Sequence, residues 1–274
     1  MLTTLEETAR VAGAIVLSYF HKESHITHKT SHNDLVTAAD IASQQCIHDT
    51  ITKKLVQKGI SENEIGFISE ENLSTRNATH MFVIDPLDGT NNFASGLDYF
   101  AVSIAYFNKG VLTDSVIYWP VRDTMYSASK GKGAYKKDAH GKKVKLTVKD
   151  DLLENSVILT YISSHKEYHQ KQMVFIEKIL VRVRGLRLYG SACIDLVHLA
   201  DGENTVHIVF YAHIYLWDFA AAYLIIDESG GVCTDLSGKV ITLDVTSSKR
   251  EYELLAAHPN VIKELKKYLP QPFI

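Results

Sequence analysis

The chain has 274 residues, 46% hydrophobic and 22% charged, enough to bury the core of one large domain or of two joined lobes. Its net charge of -3 provides no broad basic field, which argues against nucleic acid as the main partner, and no apolar stretch of about 18 residues offers a membrane span. Residues 1–20 lack the charged start and unbroken apolar centre of a signal peptide, so a cytoplasmic protein is expected, and the widely spaced Cys46, Cys193 and Cys233, without any C-x-x-C, read as buried free thiols.

Leu2, Leu5, Ala9, Ala12 and Val16 recur at spacings of three and four, which predicts an amphipathic helix over the first twenty residues. A second helix is expected from about Ala38, with Ile47, Ile51 and Leu55 on one face and Gly59 as its stop. Residues 65–69 read as a short strand leading into Glu70. The apolar run 81–84 reads as a buried strand that delivers Asp85 at its C-terminal end, where Pro86 stops the strand and fixes a turn. Between Tyr99 and Tyr135, several β runs are separated by turn signals at 108–110, 120–123 and 130–133, the pattern of an antiparallel meander. Gly131-Lys132-Gly133 lacks the third glycine and the strand-to-helix context of a nucleotide fingerprint and is read as a hairpin turn. Residues 136–145 form a further hairpin tip and mark the expected boundary between an N-terminal lobe, 1–145, and a C-terminal lobe, 146–274. Beyond it, a helix around 168–180, a strand near 184–188, a helix from Ser191, a strand over 205–211 and a helix from Trp217, ended by Gly230-Gly231, restore α/β alternation.

The stretch Asp85-Pro86-Leu87-Asp88-Gly89-Thr90 carries the densest chemistry. A tight turn brings its two carboxylates to one side, Gly89 lets the backbone approach an anion, and Thr90 adds a hydroxyl. Oxygen-only ligands of this kind suit a hard cation such as Mg2+. Taken singly, each candidate has a plain structural reading. A D-P-x-D-G is most often a solvated turn, and Glu70-Glu71 a solvated loop. Asp218, in the first turn of its helix, is explained by the helix dipole, worth roughly 0.3 to 1 kcal/mol when exposed. His165 and His169 have the i, i+4 spacing of a metal pair but no HExxH, and read as a solvated helix face. His21, His25 and His28 read as surface residues, and Arg182, Arg184 and Arg187 as paired charges on the lobe surface.

In combination these segments resemble a known family. Phe67-Ile68-Ser69-Glu70-Glu71, the V-I-D-P-L-D-G-T-N-N-F run from Val83, the W-D-F-A-A-A-Y-L-I-I-D-E-S-G-G run from Trp217, and the D-L-V-T-A-A-D run from Asp34 to Asp40 resemble the signatures of the inositol monophosphatase family, in the expected order and across most of the chain. The resemblance implies a layered α/β/α/β/α sandwich of the inositol monophosphatase and fructose-1,6-bisphosphatase type, and a Mg2+-dependent, lithium-sensitive phosphomonoesterase acting on a small phosphorylated metabolite. By the same resemblance, Glu70, Asp85 and the carbonyl of Leu87 hold a first metal, and Asp85, Asp88 and Asp218 a second. Two or three Mg2+ ions per site are implied, the third weakly held near Glu70. Glu70 and Thr90, the latter hydrogen-bonded to Asp40, would position and deprotonate the attacking water. Gly89 and Thr90 would receive phosphate oxygens, and Asp88, Gly190, Ser191, Ala192 and Tyr211 would face the substrate. Lys29 aligns with a lysine often found before the D-L-V-T segment. No Cys-x5-Arg nucleophile loop is present, which favours direct attack by water.

Inositol-specific members carry a Glu seven residues before the W-D aspartate, where this chain has Tyr211. Fructose 1,6-bisphosphate, other sugar phosphates, nucleotide 3′-phosphates such as adenosine 3′,5′-bisphosphate, and histidinol phosphate therefore stand beside inositol phosphate as candidate substrates. The alternative of another class is a regulatory, protein-binding member with a vestigial site. That reading expects eroded ligands, and none is missing here. A homodimer is expected by resemblance.

Overall fold

The computed structural model describes residues 1–22, 26–28, 35–71, 74, 78–163, 166–247 and 250–269; Lys29, Asp34, His25 and His165, and the side chain of His28, lie outside them. The helices are α1 Leu2–Tyr19, α2 Ala38–Val56, α3 Thr90–Ala94, α4 Lys166–Leu180, α5 Ala192–Ala200, α6 Leu216–Glu228 and α7 Pro259–Leu265. A two-stranded ribbon pairs β1 Ile26–His28 with β2 Leu35–Thr37. One sheet consists, in spatial order, of β3 Ile65–Ser69, β4 His80–Asp88, β5 Ala101–Asn108, β6 Val111–Trp119, β7 Thr124–Ser129, β8 Ala134–Lys137 and β9 Lys143–Lys145. Only the β3–β4 pairing in it is parallel; the rest is the expected meander. The second sheet contains β10 Val157–Thr160, β11 Gly185–Arg187, β12 Val206–Tyr215, β13 Val232–Thr234 and β14 Glu251–Ala257, in the order β11-β10-β12-β14-β13.

Strand alternation sets the layers, because successive side chains point to opposite faces. Along β4, Phe82 and Ile84 pack with Leu5, Ala9 and Val16 of α1 and Ile47, Ile51 and Leu55 of α2, whereas Met81 and Val83 face the opposite way, toward α5 and α6. Along β12, Val209 and Tyr211 join that same central core, while Ile208 and Phe210 pack with Phe175 of α4 and Val261 and Leu265 of α7. The chain is thus a five-layer α/β/α/β/α sandwich. The helix α6 lies in its middle, with Phe219, Ala220, Ala221, Ala222 and Ile225 buried, which explains why this helix is apolar on nearly every face.

Two expectations need correction. Pro86 does not end its strand: β4 runs on to Asp88, and the pairing with β5 slips between Asp85↔Ser103 and Asp88↔Ala101. A β-bulge absorbs the proline, whose missing N–H would otherwise break a ladder in this interior strand. Likewise β12 does not stop at Tyr211 but continues to Tyr215 through a register shift between Tyr211 and Ile214. No described helix is long and apolar enough to cross a membrane. Cys193 and Cys233 are buried free thiols, Cys46 a half-buried one.

Candidate active site

The parallel pairing of β3 with β4 sets Ser69 beside Ile84, so Glu70, just past the end of β3, comes next to Asp85 within β4. On a regular strand, residues three apart face opposite ways. The bulge at Pro86-Leu87 inserts one residue against β5, and this turns Asp85 and Asp88 to the same side, where both line one cleft. The Pro86 carbonyl accepts a hydrogen bond from the Ser43 hydroxyl of α2 at 2.7 Å, which holds the bulge from behind. Gly89 follows at φ 91°, and a Cβ there would meet the Tyr99 carbonyl oxygen at 2.8 Å, so only glycine fits.

Each candidate carboxylate is held by nearby donors. Asp85 accepts from the Leu87 N–H at 3.0 Å. Asp88 accepts from the Ser191 hydroxyl and from the N–H groups of Ala192 at 3.1 Å and Cys193 at 2.9 Å, the first turn of α5. One residue thereby ties the end of β4 to a helix more than a hundred positions away. Asp218 accepts from the Tyr215 N–H at 2.8 Å and so closes the first turn of α6, the capping role its position predicted. Asp40 does two things at once. One oxygen caps α2 through the Thr37 N–H at 2.8 Å and hydroxyl at 2.6 Å, and the other accepts the Thr90 hydroxyl at 3.0 Å. The same hydroxyl lies 3.0 Å from the Leu87 carbonyl.

Glu70, Asp85, Asp88 and Asp218 line a single cleft of about 260 Å³ together with Gly89 and Thr90, and Gly190, Ser191, Ala192 and Tyr211 form part of its other wall. Asp40 and Leu87 stand behind Thr90 and do not line it. Burial pushes the Asp85 carboxyl well above the usual carboxylate range, and the charges of Glu70, Asp88 and Asp218 push it further; the Leu87 N–H opposes them. Burial also raises Asp88, to about 6, against the hydrogen bonds from Ser191, Cys193 and Ala192. No lysine or arginine lines the cleft among the described residues. Four acids line this half-enclosed space, and their carboxylate oxygens are the donor type that fits a hard divalent cation. Among the described residues no three acids, histidines or cysteines are already drawn together at ligating distance. That fits mutually repelling carboxylates, each of Asp85, Asp88 and Asp218 turned to a backbone N–H.

Three residues of this region escaped the sequence reading. Asp195, on α5, accepts the hydroxyls of Tyr99 at 2.8 Å and Tyr211 at 2.6 Å. The signal was an acid within the apolar run A-C-I-D-L-V. Tyr99 belongs to the same triad, and Asn92 bridges the carbonyls of Tyr99 at 2.8 Å and Tyr189 at 2.7 Å, pinning α3 to the loop before α5. Tyr211, expected to face substrate, lines the cleft with its ring while its hydroxyl turns to Asp195. Away from the cleft, His21 and His169 are exposed, as expected, and the Arg182 guanidinium covers the Tyr268 ring at 4.9 Å.

Comparison with known proteins places this fold and its acid-lined cleft in a family. The sequence profile of the inositol monophosphatase family matches residues 1–269. The chain is 33% identical to Nus factor SuhB of Salmonella typhimurium over 239 residues, 87% of this chain and 86% of that one. It is 31% identical to human inositol monophosphatase 1 over 233 residues, 84% and 81% of the two chains. Among solved structures, the extragenic suppressor protein suhB of Bartonella henselae superposes with a TM-score of 0.84 at 27% identity, covering 99% of this chain and 98% of that one. The Thermotoga maritima IMPase gives 0.80 at 28% identity, covering 96% and 94%. The chain belongs to the inositol monophosphatase family.

Proposed function

We propose that this protein hydrolyses a small-molecule phosphate monoester in a Mg2+-dependent reaction, by direct attack of water. The observation that carries the reading is the convergence of Glu70, Asp85, Asp88 and Asp218 on one cleft. Glu70, Asp85 and the Leu87 carbonyl would hold one ion and Asp85, Asp88 and Asp218 another, with a third near Glu70. Bound there, the ions would acidify the attacking water and neutralise the departing alkoxide, the two demands that make uncatalysed phosphate-monoester hydrolysis so slow.

The chain's own groups handle protons and position. The Thr90 hydroxyl gives its proton toward Asp40 or the Leu87 carbonyl, so its oxygen is left to accept a hydrogen bond from the nucleophilic water. Glu70, half-buried at the mouth of β3, is placed to take that water's proton. The N–H groups of Gly89 and Thr90, at the start of α3, would receive phosphate oxygens. Residues 1–145 would act as the lobe that carries the main metal motif and 146–274 as the lobe that completes it with Asp218. A cytoplasmic homodimer is part of the same proposal.

Asp85→Asn is expected to abolish nearly all Mg2+-dependent phosphate release, while leaving the metal-free protein as stable as wild type or more so, since burial already disfavours the charged form of Asp85. Unchanged turnover would refute the assignment. Inhibition by millimolar Li+ in the same assay is a second expectation, and insensitivity would point to an altered second metal position.

A second reading, a non-enzymatic regulatory role, is favoured by the relatives named as Nus factors. Phosphate release from a panel of inositol, fructose, nucleotide and histidinol phosphates, with Mg2+ and with EDTA, separates the two: the regulatory reading expects no EDTA-sensitive release from any of them.

A further inference from the structure

A second cavity, of about 370 Å³, shares no lining residue with the acid-lined cleft. It opens between the meander and the end of α5. Trp119 ends β6, Arg122 sits in the turn that follows, Tyr126 is on β7 and Lys136 on β8, while His198 lies on α5 and Asp201 just after it. Its volume falls within the roughly 300 to 1,000 Å³ of small-molecule sites.

The acids of this cavity are already engaged. The Lys136 ammonium lies 2.6 Å from Asp201 and 3.5 Å from Glu203, and Asp138 accepts from the N–H groups of His140 at 3.0 Å and Lys142 at 2.9 Å. Several donors are not. Arg122 lies over the Trp119 ring at 4.4 Å and, like the Lys142 ammonium, makes no ion pair among the described residues. Tyr126 is only 3% exposed, yet its hydroxyl makes no hydrogen bond to any described residue. Buried polar groups are rarely left so, unless a ligand or water meets them. Burial raises the pKa of this hydroxyl, with the Asp201 charge adding and the Arg122 charge opposing, so the group stays a donor. Burial lowers that of His198, which is therefore neutral near pH 7.

Unpaired donors beside satisfied acceptors call for an anion. The charged side chains of the lining balance, Arg122, Lys136 and Lys142 against Asp138, Asp201 and Glu203, so a single negative charge suits the cavity better than two. A guanidinium held flat on an indole ring offers its N–H edge, which matches the planar fork of a carboxylate. We propose that this cavity binds a small organic monocarboxylate, its oxygens on the Arg122 guanidinium and the Tyr126 hydroxyl, with Lys142 adding charge. Such a site stands apart from the phosphatase chemistry and exists whether or not the protein is an enzyme.

The test uses the full, chelator-stripped chain, in which the four acids of the other cleft repel anions. Saturation-transfer NMR and isothermal calorimetry are run with lactate, pyruvate and benzoate as probes, and with benzamide and inorganic phosphate beside them. At least one carboxylate is expected to bind saturably and more tightly than phosphate, and benzamide at least ten-fold more weakly than that carboxylate. Arg122→Gln, at an exposed side chain without an ion pair, should weaken the carboxylate about ten-fold or more, the scale of a charged hydrogen bond. Tyr126→Phe deletes a hydroxyl that holds nothing in the fold and should weaken it about three-fold or more. Circular dichroism checks that the variants fold, and if one does not, the other decides alone. The proposal is overturned by no saturable binding of any of the three carboxylates, by phosphate bound more tightly than all of them, by benzamide bound as tightly as they are, or by an affinity that either folded variant leaves unmoved.

Discussion

Asp195 shows how a single side chain can join three elements. It sits on α5, fully buried, and draws hydroxyl hydrogen bonds from Tyr99 before β5 and Tyr211 on β12. Burial raises its pKa to about 7, while the two tyrosine hydroxyls act in the opposite direction. Since the folded value lies above the unfolded one, the folded chain binds more protons than the unfolded chain between about pH 4 and pH 7. Ionising Asp195 therefore lowers stability as pH rises through that window, by on the order of 4 kcal/mol at full extent. Asp195→Asn removes this contribution. Urea denaturation at intervals from pH 4 to pH 8 should show wild type losing stability relative to the variant as pH rises, and a pH-independent difference would contradict this. The acid was visible in an apolar run of sequence, but its partners, 96 and 16 positions away, were not, because hydrogen bonds between distant segments leave no periodic trace.

At the level of elements, most helices and strands were legible because burial imposes a period. Leu5, Ala9, Ala12 and Val16 on α1, and Ile47, Ile51 and Leu55 on α2, recur as a helix face must and are all buried. The bulge in β4 was not legible. Proline usually ends a strand, and only the pairing partner β5, with Ser103 opposite Asp85 and Ala101 opposite Asp88, reveals that the ladder resumes beyond it. The error touches function, since the same bulge turns the two aspartates to one side. Gly89, immediately after it, combines φ 91° with a backbone oxygen 2.8 Å from where a Cβ would lie. Gly89→Ala is expected to destabilise the protein by about 1 to 3 kcal/mol and to lower turnover together with it, because the strained turn carries Thr90. Thermal unfolding and phosphate release on the purified variant check this; a variant as stable and active as wild type would show that the turn tolerates a side chain.

Across the whole molecule, the alternation of α and β segments was readable, but the order of the layers was not derivable from periodicity and came from family resemblance. Which sheet a strand joins depends on long-range pairing: β12 lies between β10 and β14, and the faces of β4 and β12 meet α5 and α6 from opposite sides. The candidate site has the same character. Glu70, Asp85 and Asp88 come from neighbouring ends of one sheet, and Asp218 comes from the central helix that packs between the sheets. Folding alone brings four like charges to one cleft, an arrangement that a bound cation should stabilise in proportion to its occupancy. Isothermal calorimetry of Mg2+ added to the chelator-stripped, dialysed protein, with Asp85→Asn beside wild type, tests this most directly. Saturable binding by wild type that is lost in the variant is the expected result, and indistinguishable titrations of the two proteins would contradict a cation site built on these carboxylates.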